Sequence, residues 1–199
     1  IRHYLHAHPE ISEKEVETTK FIRQKLADWQ IEIMDSQLKT GLVAKIGSGK
    51  PIIALRADID ALPILEETGL EFSSVNKGAM HACGHDAHMS TGLALAHWVA
   101  DHKDELKGRI KFLFQPAEEG VRGAAAMAAS GIVDDADFFL GAHIAMMCKS
   151  GEISVNPYGF LCTTKMDVTY TGRPAHAGVE PNAGRNAMAA ACNAFVQLL

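Results

Sequence analysis

Long apolar runs are missing from this 199-residue chain, and nothing approaches the roughly 18 consecutive apolar residues that a membrane span needs. Its first residues, Ile1-Arg2-His3-Tyr4, do not form the apolar core of a secretory signal. Basic runs are missing as well. With 19 Lys and Arg against 24 Asp and Glu, and a net charge of -5, there is no stripe of cations to track phosphates. A nucleic-acid partner is therefore disfavoured, and small organic acids fit better. Cysteine is sparse: Cys83, Cys148, Cys162 and Cys192 are too scattered for a disulfide framework, so each reads as a free thiol or a metal ligand. There are no internal repeats and no low-complexity tracts. An initiating Met is absent, and the chain stops at Val196-Gln197-Leu198-Leu199 inside an apolar helical pattern, so both ends read as cut. What remains is a cytoplasmic globular protein, 47% hydrophobic, with apolar mass for one sizeable core.

The pattern of that mass alternates. Ser12 followed by Glu15 forms a capping box, and Val16, Thr19, Ile22, Leu26 and Trp29 recur at helical spacing, which predicts an amphipathic helix over residues 12 to 30. Leu42 to Ile46 and Ile52 to Ala57 are short β-rich runs, expected as neighbouring strands joined by the turn Gly47-Ser48-Gly49-Lys50-Pro51. A helix follows from about Ala87 to His102, a strand over Arg109 to Gln115, a small-residue helix from Ala124 to Ser130 stopped by Gly131, and a strand over Phe138 to His143. This alternation predicts an α/β fold, a mostly parallel sheet flanked by helices, which places ligands at the carboxyl ends of its strands. Lys165 to Thr171 alternates as a further strand before a Gly- and Pro-rich loop to Gly184 and a helical pattern to the end. A domain boundary is expected near Thr163, giving domains 1-162 and 163-199.

Chemistry gathers at the predicted strand ends. Met80-His81-Ala82-Cys83-Gly84-His85-Asp86-Ala87-His88 puts three imidazoles, a thiol and a carboxylate in one loop before a helix. Imidazole and thiolate are donors for Zn, Mn or Co, and the positive end of the following helix favours the thiolate of Cys83. The alternative is a polar loop with Asp86 as a cap. Phe114-Gln115-Pro116-Ala117-Glu118-Glu119-Gly120 sets adjacent carboxylates after an apolar strand. One can bind a metal while the other serves as general base toward a water, as metal-assisted hydrolysis requires, unless the pair is a solvated acidic turn. Asp58 and Asp60, in Ala54 to Pro63, share a face at another strand end, where they either orient a ligand histidine from behind or cap the next turn. His143, in Gly141-Ala142-His143-Ile144, stands at the end of a further apolar strand, where it is either a ligand or a satisfied core histidine.

These clusters, in this order, are joined by Leu5-His6-Ala7-His8-Pro9-Glu10 and Gly172-Arg173-Pro174-Ala175-His176-Ala177-Gly178. The whole resembles the aminoacylase and carboxypeptidase G-like family of metal-dependent amidohydrolases over nearly all the chain. Within it the chain is similar to the branch of hippurate hydrolase, plant indole-acetyl-amino-acid hydrolases and the aminobenzoyl-glutamate hydrolase A-subunit; the run Arg122-Gly123-Ala124 to Gly131-Ile132-Val133-Asp134-Asp135 resembles the last most. The resemblance implies a zinc-peptidase-like catalytic domain holding two divalent ions, Mn or Zn, with Cys83, His85, Glu119 and His143 as ligands and Glu118 as base. A further histidine ligand used by the family lies in no part of this sequence. Many relatives outside the branch read His-x-Asp where this chain has Asp58-Ile59-Asp60, so these two acids are expected behind the ligands.

Residues 163-199 resemble the opening of a smaller α+β lid and dimerisation domain. There His176 matches a histidine that reaches the site of the partner protomer, and Asn186 a position associated with the substrate carboxylate; a surface loop residue and a helix cap are the alternatives. The implied function is hydrolysis of an N-acyl or N-aroyl amino acid, aminobenzoyl-glutamate-like or hippurate-like, by a homodimer or hetero-oligomer assembled through the lid. Two rivals make other predictions. A cysteine hydrolase with Cys83 as nucleophile and His85 as base would be indifferent to chelators, and a non-catalytic metal-binding subunit or inactive fragment would turn nothing over.

Overall fold

The computed structural model describes residues 1–120, 123–145, 148–155 and 166–198. The chain divides into two compact units, Ile1–Ser150 and Gly151–Leu199. The expected boundary at Thr163, and with it Cys162 and Arg122, lies outside the described residues.

The first unit is built on a five-stranded sheet in the order β1-β2-β4-β3-β5, with β1 Glu32–Met34, β2 Leu42–Ser48, β3 Ile52–Asp58, β4 Gly108–Gln115 and β5 Phe138–Gly141. The sheet is mixed rather than mostly parallel: β1 pairs with β2 and β2 with β4 in antiparallel fashion, while β3 runs parallel to both β4 and β5. The expected pairing of β2 with β3 also fails, because β4 lies between them. The central strand β4 is buried on both faces, with Phe112 and Phe114, among the largest fully buried side chains, on one and Leu113 on the other. Gly108 lets β4 enter beneath the turn. At φ +101° it adopts a backbone that other residues avoid, and a Cβ there would stand 2.2 Å from the Pro51 carbonyl.

Strand periodicity of two sorts side chains onto two faces. Leu42, Ala44, Ala57, Phe112 and Phe114 pack against Ile22 and Leu26 of α2 (Val16–Asp28) and Met89, Leu93, Ala96 and Val99 of α3 (His85–Asp101). Helix α1 (Arg2–Ala7) adds Leu5 to the same cluster. On the opposite face Val43, Ala54 and Leu113 meet Met127 of α4 (Gly123–Ala129). Burying each large apolar side chain is worth about 1.5 to 3 kcal/mol.

The capping box at Ser12 and Glu15 does not form. Helix α2 begins at Val16 with no cap from its N-terminal neighbour's side chain. The Glu17 and Thr18 N–H groups instead donate to the Glu10 carboxylate at 3.2 and 2.8 Å, which frees Ser12 and Glu15 for contacts elsewhere. In the second unit α5 spans Ala187–Leu198. Lys165 lies outside the described residues, and residues 166–171, read as a strand, have no ladder partner among the described residues; alternation specifies a face, but a strand also needs a neighbour. No helix among the described residues is long and apolar enough to cross a membrane.

Candidate metal centre

The three mutually parallel strands end on one side of the sheet, and their ends carry the chemistry. Strand β3 delivers Asp58 and then Asp60; β4 delivers the turn with Glu118 and Glu119; β5 delivers His143; and the first residue of α3 is His85. Gly84, in the left-handed region at φ +91°, turns the chain from Cys83 into that helix.

Donor atoms of Cys83, His85 and His143 lie within 4.8 Å of one another, and so do those of His85, Glu118 and Glu119, so the two groups share His85. A third such group, Asp58, His85 and His88, is wholly buried. Tautomers follow from the hydrogen bonds. His85 Nδ1 donates to the Asp60 carbonyl at 2.8 Å, and His143 Nδ1 to the Ile144 carbonyl at 2.6 Å. Each neutral ring thus keeps a lone pair at Nε2, the arrangement a metal-bound histidine uses. His143 Nε2 lies 3.3 Å from Cys83 Sγ. His85 Nε2 is buried with no hydrogen-bond partner among the described residues, and Glu118 Oε2 is 4.0 Å away. A buried lone pair without a donor, facing a thiol and a second imidazole, fits a thiophilic or borderline divalent cation.

His88 does different work. Its Nε2 accepts the Ile144 N–H at 3.0 Å, and burial, with His143 and His85 nearby, pushes its pKa down to about 4, so it is a neutral strut behind the His143 loop.

Electrostatics around the cluster is dominated by carboxylates. Burial, the charges of Glu119 and Glu118, and a hydrogen bond with Glu119 push the Cys83 thiol up to about 12. This corrects the expected thiolate: the positive end of α3 is outweighed by burial and by the acids facing it, and a bound cation would act in the opposite sense, favouring the thiolate. Burial also raises Asp58 to about 6, against the opposing charge of Arg56, whose Nη2 lies 2.6 Å from Asp58 Oδ1. Burial disfavours the charged ring of His85, but its bonds to Asp60 and the charges of Asp58 and Asp60 raise its pKa overall. Asp60 is lowered: burial opposes its charge, and hydrogen bonds from His85, Ser12 and the Glu119 N–H outweigh that.

Several participants were not legible as such. Ser12 Oγ donates to Asp60 Oδ2 at 2.7 Å, and that oxygen also accepts the Glu119 N–H at 2.9 Å. Asp86, beside His85, accepts from Arg2 Nε at 3.0 Å and faces His6 Nδ1 at 3.0 Å, while His6 Nε2 faces Glu66 Oε1 at 3.1 Å. Nothing in the spacing of Ser12, His6 or Glu66 announces these partners, which are 48, 80 and 60 residues apart along the chain.

His176 and Asn186 belong to the second unit. His176 is exposed and its Nδ1 accepts the Gly178 N–H at 3.2 Å, which places the ring proton of the neutral form at Nε2. Asn186 Oδ1 accepts the Ala189 N–H at 3.0 Å, capping α5.

Residues 54–198 match the profile of peptidase family M20/M25/M40. The Haemophilus influenzae homolog of the p-aminobenzoyl-glutamate hydrolase A-subunit is 52% identical over 168 residues, covering 80% of this chain and 40% of that protein. The indole-3-acetyl-aspartic acid hydrolase of Enterobacter agglomerans is 46% identical, covering 80% of this chain and 38% of its own length. Among solved structures the Bacillus subtilis YXEP protein, described as a dinuclear metal binding peptidase from the M20 family, superposes with a TM-score of 0.69 at 48% identity, covering 71% of this chain and 41% of that one. The chain thus spans less than half the length of these relatives.

Proposed function

We propose, for a chain that belongs to peptidase family M20/M25/M40, that the full-length protein is a metal-dependent amidohydrolase releasing a carboxylic acid and a free amino acid from an N-acyl or N-aroyl amino acid. The observation that carries this reading is the convergence of Cys83, His85 and His143, both rings bonded at Nδ1 to backbone carbonyls, with Glu118 beside them. Cys83, His85, Glu119 and His143 would hold two divalent ions, Mn or Zn. When bound, such ions acidify water and polarise a carbonyl oxygen.

The chain's own residues supply the rest. Glu118, with its side chain 37% exposed, reaches solvent and takes a proton from the attacking water. It returns that proton to the leaving nitrogen as the amide bond breaks. Asp60 holds His85 through its carbonyl and the Glu119 N–H through its carboxylate. His88 holds the Ile144 N–H, and with it the loop that presents His143. His176 and Asn186 are assigned to the oxyanion and to the substrate carboxylate.

The two relatives named above act, by their names, on an aromatic acyl group joined to glutamate or aspartate, which supports an aminobenzoyl-glutamate-like substrate as first choice, with hippurate next. Cys83, Cys148 and Cys192 are free thiols, which supports a reducing compartment, the cytoplasm. The test is a panel of aminobenzoyl-glutamate, hippurate and N-acetyl amino acids offered to the full-length protein before chelation, after it, and after Mn or Zn is restored. Turnover should vanish and return; turnover that survives thorough chelation overturns the reading.

A further inference from the structure

Resting on the metal-hydrolase reading, we propose that Glu15 is a positioning residue for the general base: its buried carboxylate holds the Ala117 N–H and so sets the backbone from which Glu118 projects. Glu15 is completely buried. Helix capping does not account for it, since Glu10 takes the first N–H groups of α2. Its two oxygens serve two other segments: Oε1 accepts the Ala117 N–H at 2.8 Å and Oε2 the Thr40 hydroxyl at 2.8 Å.

Ala117 is the unusual member of the turn. Its φ of +52° lies in the left-handed region, which a residue with a Cβ avoids and which persists only where surroundings impose it. The surroundings are specific. Pro116 before it has no N–H, Glu15 takes the Ala117 N–H, and the Ala117 carbonyl accepts the Gly123 N–H at 3.3 Å. On the far side of Glu118, the Glu119 N–H is held by Asp60, itself held by Ser12. Residues 12 to 15 therefore grip the backbone on both sides of Glu118, and the Glu15 grip acts on the residue directly before it.

Four variants of the full-length protein test this, each loaded with Mn or Zn and measured for kcat, KM, metal content, thermal midpoint and hydrogen exchange of the 116–119 segment. Glu15→Gln keeps an acceptor for Ala117 and gives Thr40 a donor; Thr40→Val keeps the Ala117 bond. Both should hold kcat within about threefold and leave exchange unchanged. Glu15→Asp draws the carboxylate back by one methylene, and Glu15→Leu with Thr40→Val removes it while filling the space. Both should speed exchange at 116–119 and lower kcat by about 10- to 100-fold, with KM and metal content kept, because displacements near 1 Å cost about that much. Unchanged kcat and unchanged exchange in Glu15→Asp, even with a lower thermal midpoint, would reduce Glu15 to a structural residue; should the double variant not fold, Glu15→Asp decides alone. A wild type without metal-dependent turnover would sink the hydrolase reading and the catalytic consequence with it, and the exchange data would separately show whether Glu15 holds the turn.

Discussion

At Cys83 the surroundings, more than the residue type, set the chemistry. A thiol pushed up to about 12 by burial and by Glu119 and Glu118 is almost wholly protonated without a cation. In metal-free protein, iodoacetamide should therefore label Cys83 more slowly than the exposed Cys192 at pH 8, and the Cys83 rate should keep climbing as the pH is raised. Peptide mass spectrometry reads both sites, and equal rates would restore the cysteine nucleophile as a rival. The neighbouring glutamates divide differently. Glu118→Gln should keep its metal and lose about 10² to 10⁴ in turnover, because an amide cannot take the water's proton. A loss of bound metal with unchanged turnover per ion would mean that Glu118 and Glu119 exchange roles.

Among the elements, α2 shows how one motif can be spelled correctly and used otherwise. Residues 12 and 15 have the types of a capping box, yet the helix N–H groups at Glu17 and Thr18 are satisfied by Glu10. Glu10→Ala should cost about 1 kcal/mol, the usual worth of a cap. Ser12→Ala should leave α2 itself alone and loosen Asp60, whose carboxylate it holds at 2.7 Å. Thermal unfolding and helix exchange of the two variants separate them; a helix weakened by Ser12→Ala and untouched by Glu10→Ala would reinstate the capping box. The helix period of α2 was readable because its buried residues Ile22 and Leu26 follow helical spacing. Its cap was not, since a carboxylate seven or eight positions away can reach the same N–H groups once the chain folds back.

For the whole molecule the open proposal is the division of labour between the two units. The exposed His176 carries its neutral-form proton at Nε2, which suits it to donate to an oxyanion. We propose that it does so in the site of a partner protomer, the active form being at least a dimer. Full-length His176→Ala and Glu118→Gln, each nearly inactive, should regain up to about a quarter of wild-type turnover when their protomers exchange, because random two-fold pairing makes one complete site in half of the dimers. Demonstrated exchange without recovery would exclude action in trans.

Residue order alone marked several elements and the donor types: apolar periodicity placed α2, α3, β3 and β4 to within a few residues, while α1 and β1 went unread and the strand expected at 165–171 found no partner among the described residues, and the Cys83 to His88 loop and the Glu118-Glu119 pair stood out by composition. These are local properties, carried by neighbours in the chain. Folding in three dimensions was needed to put β4 between β2 and β3, because strand order depends on which apolar faces are covered from both sides. It was needed equally for Glu15, 102 residues from Ala117, to hold the turn before Glu118. Which carboxylates surround Cys83, and so whether its sulfur ionises, also rests on contacts between segments far apart in sequence, and no spacing along the chain encodes a distance through space.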